Sequence, residues 1–395
     1  MNTSNPLQVK EFTGELENIL RFWQSHTPDE KNQGFFGEIS NDLKVNEAAP
    51  KGGVLNARIL WTFSAAALQS GNPAYRAFAD RAYHYFSRHF FDSEYGGTYW
   101  MVDAQGSPLE TRKQTYAQAF SIYALTEYAR LTGENEPLDL AMQLFGLIER
   151  HALDPERNGY PEAFDRKWNL HEDQRLSAID MNERKSMNTH LHVIEAYANL
   201  FRLTGNQQVK QRVENLLGLF DRFIIHSKTR HFNLFFDESW NVRSQKVSYG
   251  HDIEGSWLLL ESAESIDSPE WISRMKTISV EMAGASLEGI DNDGGLRYEM
   301  VPGEPDNGEK EWWTMAEAVV GFYNAYQLSG DKIFLRQAAG MWNFLKTFVI
   351  DHERGEWYYR IDRNHRPDDS YPKVSQWKCP YHNARMCLEM IRRLG

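Results

Sequence analysis

Five helical stretches of this chain close on a turn glycine, and thirteen residues before each glycine stands a side chain suited to a pocket. The glycines are Gly71, Gly133, Gly205, Gly330 and Gly395, and the residues thirteen before them are Arg58, Phe120, His192, Glu317 and His382. A fixed offset from a helix end fixes height and rotation on that helix. Repeated helices set around an axis would therefore bring those side chains to one rim. Repetition of this kind governs the whole fold, because each unit must bury its apolar face against its neighbours.

A second repeat interleaves with the first. Six segments combine Asp, Asn and Gly with aromatics, at 27–40, 91–103, 153–165, 225–237, 290–300 and 350–362. Asn/Asp/Gly turn chemistry ahead of a β-leaning aromatic run predicts a short hairpin or extended loop in each. Between them, 55–69, 115–131, 189–203, 252–265, 314–328 and 380–394 have apolar positions at helical spacing and read as inner helices. The stretches 74–90, 138–152, 208–224 and 333–349 are charged on one face and read as outer partners. The expected fold is all-α: a ring of six helix pairs with short β-hairpin loops at one rim, formed by residues 1–395 as one domain. The fourth unit breaks the rule, since thirteen residues after His251 come Glu264 and Ser265 rather than a glycine.

A net charge of −12 argues against nucleic acid and anionic membrane surfaces as partners. The N-terminal MNTSNPLQVKEF has neither the basic nor the apolar region of a secretory leader, and no apolar run is long enough to span a membrane. The only cysteines, Cys379 and Cys387, do not make a disulfide framework, which fits a cytoplasmic protein. No apolar helix face stands out as a subunit contact, so a monomer is expected. Aromatics make up 13% of the chain, with 12 Trp; some must fill the core, but such a supply also suits sugar binding, where flat rings pack on the C–H faces of a pyranose.

The chemistry is carried at the starts of the inner helices. Asn188, His192, Glu195 and Asn199 form a polar stripe, which reads either as a solvated face or as part of a pocket. His251 and Glu254 are three apart, so they can touch, and a carboxylate there would raise the imidazole pKa. Trp313 and Glu317 share a face, and the shared register turns Glu317 toward the pocket. His382 sits just inside the last helix, after Trp377 on the preceding loop. Arg58 lies in an apolar helix and needs a carboxylate or ligand hydroxyl as acceptor. Tyr116 is one turn above Phe120 and reaches the same rim.

Two imidazoles facing one substrate suit proton abstraction and return near neutral pH, and Arg58 could stabilise an enediolate oxygen. There is no Walker loop and no dinucleotide fingerprint, so cofactor-free proton transfer next to a sugar carbonyl is the natural reading. Three alternatives stay open. His192, His251 and His382 could bind zinc, although His190 and His192, two apart, do not share a helix face. Glu254 and Glu317 could be the carboxylates of a glycoside hydrolase. A sugar-binding protein without chemistry would need the Trp residues and Arg58 but not the histidines.

The segments NTHLHVIEAYANL, SYGHDIEGSWLLLE, EWWTMAEAVVGF and KVSQWKCPYHNARM resemble those of the cellobiose 2-epimerases, within the wider N-acylglucosamine 2-epimerase group. The resemblance implies an (α/α)6 barrel. It also implies reversible epimerisation at C2 of the reducing-end glucose of β-1,4 disaccharides such as cellobiose, lactose and mannobiose, or the monosaccharide reactions of the wider group. It assigns His251 and His382 as the acid/base pair, with His192 assisting at O1/O2 or in ring opening. Arg58, Tyr116, Asn188 and Glu254 would hold the open-chain sugar, and Trp313 and Trp377 would stack on its rings.

Overall fold

The computed structural model describes residues 5–304 and 308–395; the first four residues of the N-terminal segment read above for a leader, Met1 to Ser4, lie outside them. Twelve α-helices alternate between two concentric rings among these residues. The inner ring is α2 (Gly53–Ser70), α4 (Thr115–Thr132), α6 (Met187–Thr204), α8 (Tyr249–Ser265), α10 (Trp312–Ser329) and α12 (Tyr381–Leu394). Each inner helix packs on the next, and α12 returns to α2, so the ring closes. The outer ring is α1 (Val9–His26), α3 (Pro73–His89), α5 (Asn135–His151), α7 (Gln207–Leu219), α9 (Pro269–Ser286) and α11 (Lys332–Phe344). An outer helix follows each inner one and packs on it, while α1 packs on α12. This is the (α/α)6 barrel.

The two rings differ as burial requires. Inner helix α2 is buried along almost its whole length, apolar on every side. Outer helix α3 buries only Ala79, Ala82, Tyr83, Tyr85 and Phe86, one face of its cylinder. The turn between inner and outer helix is a fixed device. Gly71, Gly133, Gly205 and Gly330 take φ of 67°, 72°, 63° and 71°, a left-handed conformation that stops the inner helix. In three of these turns the next residue, Asn72, Asn206 or Asp331, caps the outer helix through its side chain.

The fourth turn follows the same plan with a different residue. Asp267 takes φ 48° there and is followed by Ser268 and Pro269, as Gly71 is by Asn72 and Pro73. Thirteen residues before Asp267 stands Glu254. The fourth member of the register is therefore Glu254, and His251 sits nearly one turn closer to the rim. The spacing rule placed His251 there because a left-handed aspartate has no signature as plain as glycine.

The loops are less self-contained than hairpins. A bridge closes the first turn of most of them, as between Phe91 and Thr98. The strand that follows then pairs with another unit: Met101–Val102 with Lys51–Gly52, Ala163–Phe164 with Lys113–Gln114, Phe235–Phe236 with Lys185–Ser186, Glu299–Met300 with Val247–Ser248, and Arg360–Ile361 with Lys310–Glu311. Each partner strand leads straight into an inner helix, so the loops stitch the units together at the end of the barrel where those helices begin.

A buried ion pair secures the same junction. Lys51 reaches Asp29 at 2.7 Å, Lys113 reaches Asp92 at 3.0 Å, Lys185 reaches Asp154 at 2.9 Å, Lys310 reaches Asp291 at 3.0 Å and Lys373 reaches Asp351 at 2.5 Å. In the fourth unit Val247 and His226 stand at these positions, and His226 is exposed. Among the described residues no helix is long and apolar enough to cross a membrane. Cys379 and Cys387 are buried free thiols.

Breaking one such pair leaves a buried charge without its partner, which typically costs about 3–5 kcal/mol. Lys51→Met is expected to lose that much in urea unfolding. The double variant Lys51→Val with Asp29→His, which copies the fourth unit, should lose distinctly less. Equal losses would mean that the ion pair is not what the junction depends on.

Candidate active site

The inner helices begin at the stitched end, and their first turns line a cavity of about 290 Å³. Arg58 of α2, Tyr116 of α4, Asn188 and His192 of α6, His251 and Glu254 of α8, Trp313 of α10, Trp377 of the last loop and His382 of α12 all line it. Glu317 does not. Its side chain lies beneath the wall, holding other groups. Trp312 lines the cavity beside Trp313.

Each histidine is anchored through Nδ1. His192 Nδ1 lies 2.9 Å from Glu195 Oε2, one turn along the same helix. His382 Nδ1 lies 2.7 Å from Glu317 Oε1. His251 Nδ1 lies 2.7 Å from the Ser248 hydroxyl. An ionised carboxylate can only accept, so Nδ1 of His192 and His382 carries the hydrogen and Nε2 is left as the acceptor. A serine hydroxyl can donate or accept, so His251 is free to be either tautomer.

The expected contact between His251 and Glu254 is absent, and the reason is Arg385. This guanidinium, 2% exposed, takes Glu254 Oε1 at 2.5 Å on Nη2. The same Nη2 reaches Glu317 Oε1 at 2.6 Å, and Nη1 reaches Glu195 Oε1 at 2.5 Å. Tyr381 also donates to Glu195 Oε1, at 2.6 Å. The pKa of His251 is accordingly not raised. Burial pushes it down to about 3, aided by the neighbouring His192 and Lys246. His382 is also held well below its ordinary value, by burial and then by Arg58 and Arg385. Burial would lift Glu195, but Arg385, His192 and Tyr381 hold it at about 2. Glu254 is pushed up to about 7 by burial and by Glu317.

The aromatic residues set the walls. Trp313 contacts both outer-lying imidazoles, with ring centroids 4.9 Å from His251 and 5.3 Å from His382, and its indole N–H donates to Glu311 at 3.0 Å. Arg58 donates to the Tyr116 hydroxyl at 2.8 Å and lies 4.2 Å above the ring of Phe120. Among the described residues, five buried polar atoms on this wall have no protein partner: Arg58 Nε, Asn188 Oδ1, Glu254 Oε2, Trp312 Nε1 and Arg360 Nε. Buried groups left unpaired are costly, so such a concentration fits a ligand rich in hydroxyls.

The polar stripe on α6 is not a solvated face: His192, Glu195 and Asn199 are buried, and Asn199 pairs with Arg130 and Glu127. His190 points away from the cavity, between the Ser186 carbonyl and the Tyr160 amide. Among the described residues the three cavity histidines do not converge as a zinc set. The group that does converge is Glu254, Glu317 and His382, and Arg385 Nη2 already sits on both of its carboxylates. The same cation removes the hydrolase geometry, in which the scissile bond must lie between two carboxyl groups.

Several wall residues escape sequence reasoning. Leu176, Ser177, Ala178, Ile179 and Asp180 come from the connection between 165 and 185, and Tyr298, Tyr359, Arg360 and Tyr371 come from later loops. A connection of that length without regular structure is often functional, which was the available signal. For Arg385 the signal was the same as for Arg58: a cation in an inner helix.

The family model for N-acylglucosamine 2-epimerase matches residues 34–384. A cellobiose 2-epimerase of Bacteroides fragilis is 44% identical over 94% of this chain and 95% of that protein. The chain belongs to the N-acylglucosamine 2-epimerase family, carbohydrate epimerases, on its cellobiose 2-epimerase side. The solved cellobiose 2-epimerase of Bacillus thermoamylovorans is 41% identical and superposes with a TM-score of 0.92, over 98% of this chain and 99% of that one. The barrel alone is not decisive. A GH76 α-mannanase of Bacteroides thetaiotaomicron shares it at 10% identity and a TM-score of 0.65, over 97% of this chain and 96% of that one.

With burial as the cause, the His251 imidazole is expected to stay neutral throughout pH 5–8. Its ring Cε1–H signal, assigned by its loss in His251→Gln, should not titrate in that range. A midpoint near the ordinary value of about 6.5 would contradict the burial argument.

Proposed function

We propose that this protein epimerises C2 of the reducing-end glucose of β-1,4-linked disaccharides, cellobiose, lactose and mannobiose among them, by proton abstraction and return through a cis-enediolate. The observation that carries this reading is the pair of imidazoles, His251 and His382, on the wall of one cavity and each in contact with Trp313. The family relationship supports the substrate class.

The reaction starts with opening of the hemiacetal, because only the aldehyde makes the C2 proton acidic. His192 assists at O1 or O2 through its free Nε2. Either His251 or His382, kept neutral by its surroundings, removes the C2 proton. The electron pair moves into a C1–C2 double bond, and the charge settles on O1. Arg58, fixed by Tyr116 and the Phe120 ring, stabilises that oxyanion. A proton then returns to the opposite face of C2 from the other histidine, which enters that turnover carrying a hydrogen on Nε2; the proton gained by one imidazole and lost by the other is exchanged back through solvent before the next turnover. Glu254, whose pKa is near neutrality and whose Oε2 has no protein partner, can exchange a proton at that oxygen on the cavity wall. Asn188 and Tyr116 hold hydroxyls of the open chain, and Trp313 and Trp377 stack on the sugar rings.

Incubation with cellobiose in D2O, followed by NMR, tests the reading. A mannose-type reducing end with deuterium at C2 is expected. Free glucose or unchanged cellobiose would overturn it. His251→Ala and His382→Ala should each abolish turnover with the fold intact, and near-normal activity would remove that residue from the pair. Arg58→Ala should lose roughly 2–4 kcal/mol of transition-state stabilisation, by analogy with loss of one oxyanion donor; an unchanged kcat would leave Arg58 a purely structural role.

A further inference from the structure

We propose that Arg385 is a positioning residue for the reaction: by gripping the carboxylates that receive the Nδ1–H groups of His192 and His382, it fixes the tautomer and aim of both imidazoles. This rests on the catalytic roles given to those histidines above.

The geometry is specific. Arg385 comes from α12, three residues and so just under one turn beyond His382, and its guanidinium lies among the inner helices. From there it reaches Glu195 on α6, Glu254 on α8 and Glu317 on α10. Its plane also covers the Tyr381 ring at 4.3 Å and the Trp257 indole at 5.0 Å, and Trp257 Nε1 donates to Glu317 Oε2 at 3.1 Å. The charged and titratable groups around it are thus Glu195, Glu254, Glu317, Tyr381 and His382, with Tyr123 and Arg393 close by. Two of the three carboxylates have one function in common: each holds a catalytic-site imidazole by Nδ1. Arg385 touches neither the cavity nor an imidazole. It acts only through those acids.

A planar fork is the right shape for this task. Arg presents several N–H donors in fixed directions, whereas an ammonium is a single point charge on a flexible stem. Without the fork, three buried carboxylates would face one another with no cation among them. One or more would take up a proton, and a protonated carboxyl can donate to Nδ1 instead of accepting from it. The imidazole would then turn its N–H toward the cavity and lose its power as a base. His251, held by Ser248 rather than by an acid, is independent of Arg385 and serves as an internal reference.

The test is histidine ring 15N NMR on the free full-length protein with Arg385→Met, beside kinetics on cellobiose. The ring-nitrogen shifts of His192 and His382 are expected to leave the Nδ1–H pattern, while those of His251 stay as in the wild type. kcat should fall on the order of 10²-fold, the usual cost of small misplacement of a reacting group, with KM changed far less. If Arg385→Met fails to fold, Arg385→Lys keeps the charge without the fork and should give the same selective change. Unchanged shifts at His192 and His382, or equal changes at all three histidines, would overturn the proposal. Because the shifts are read without substrate, this failure is distinguishable from failure of the wild type to epimerise cellobiose.

Discussion

One buried guanidinium holds this active site together. Arg385 meets three carboxylates from three different inner helices, with the nearest partner 68 residues away in sequence and the farthest 190. Such a cluster is expensive to bury unless geometry and hydrogen bonding are complete. Here each Nη carries at least one carboxylate oxygen, and two of the acids are further satisfied by imidazoles, Tyr381 and Trp257, while Arg385 Nε and Glu254 Oε2 have no protein partner. The cation arrives on the last helix, so the ring must close before the acids are paired. Formation of the barrel and of the site is therefore one event.

The repeat supplies the scaffold, and the site lies in its exceptions. Four units tie the strand before the inner helix to the loop by a buried lysine paired with an aspartate, Lys373 and Asp351 form such a pair ahead of α12, and the fourth unit has none. That unit also turns on Asp267 instead of glycine. It carries His251, the one histidine of the cavity set not anchored to an acid. Departures from local rules tend to gather where function demands them. The difference in anchoring makes the two imidazoles that face Trp313 chemically unequal, one backed by an anion and the other by a hydroxyl.

Much of this was legible from spacing alone. A left-handed glycine stops four of the inner helices, and counting back from those glycines and from Gly395 placed Arg58, Phe120, His192, Glu317 and His382 at one height. The count went astray in the fourth unit, where Asp267 does the work of glycine and Glu254 is the true member. It also put Glu317 in the pocket, since equal height does not say which side chain reaches the cavity and which supports a neighbour. The His251–Glu254 contact was plausible on one helix, but Arg385 competes for the same carboxylate from across the ring. Ion pairs between distant helices leave no local pattern, and neither does the loop at 176–180, which has no helical or strand periodicity to read.

The account's central claim is that His251 and His382 act on C2 from different sides, and hydrogen exchange without net reaction examines it most directly. His251→Ala and His382→Ala would each be incubated in D2O with cellobiose and, separately, with its C2 epimer, and C2–H loss followed by NMR. Each variant should still exchange C2–H in one of the two sugars, a different one for each variant, while interconverting neither. Exchange of both sugars by a single variant, or continued epimerisation, would show that one base serves both faces and would contradict the account.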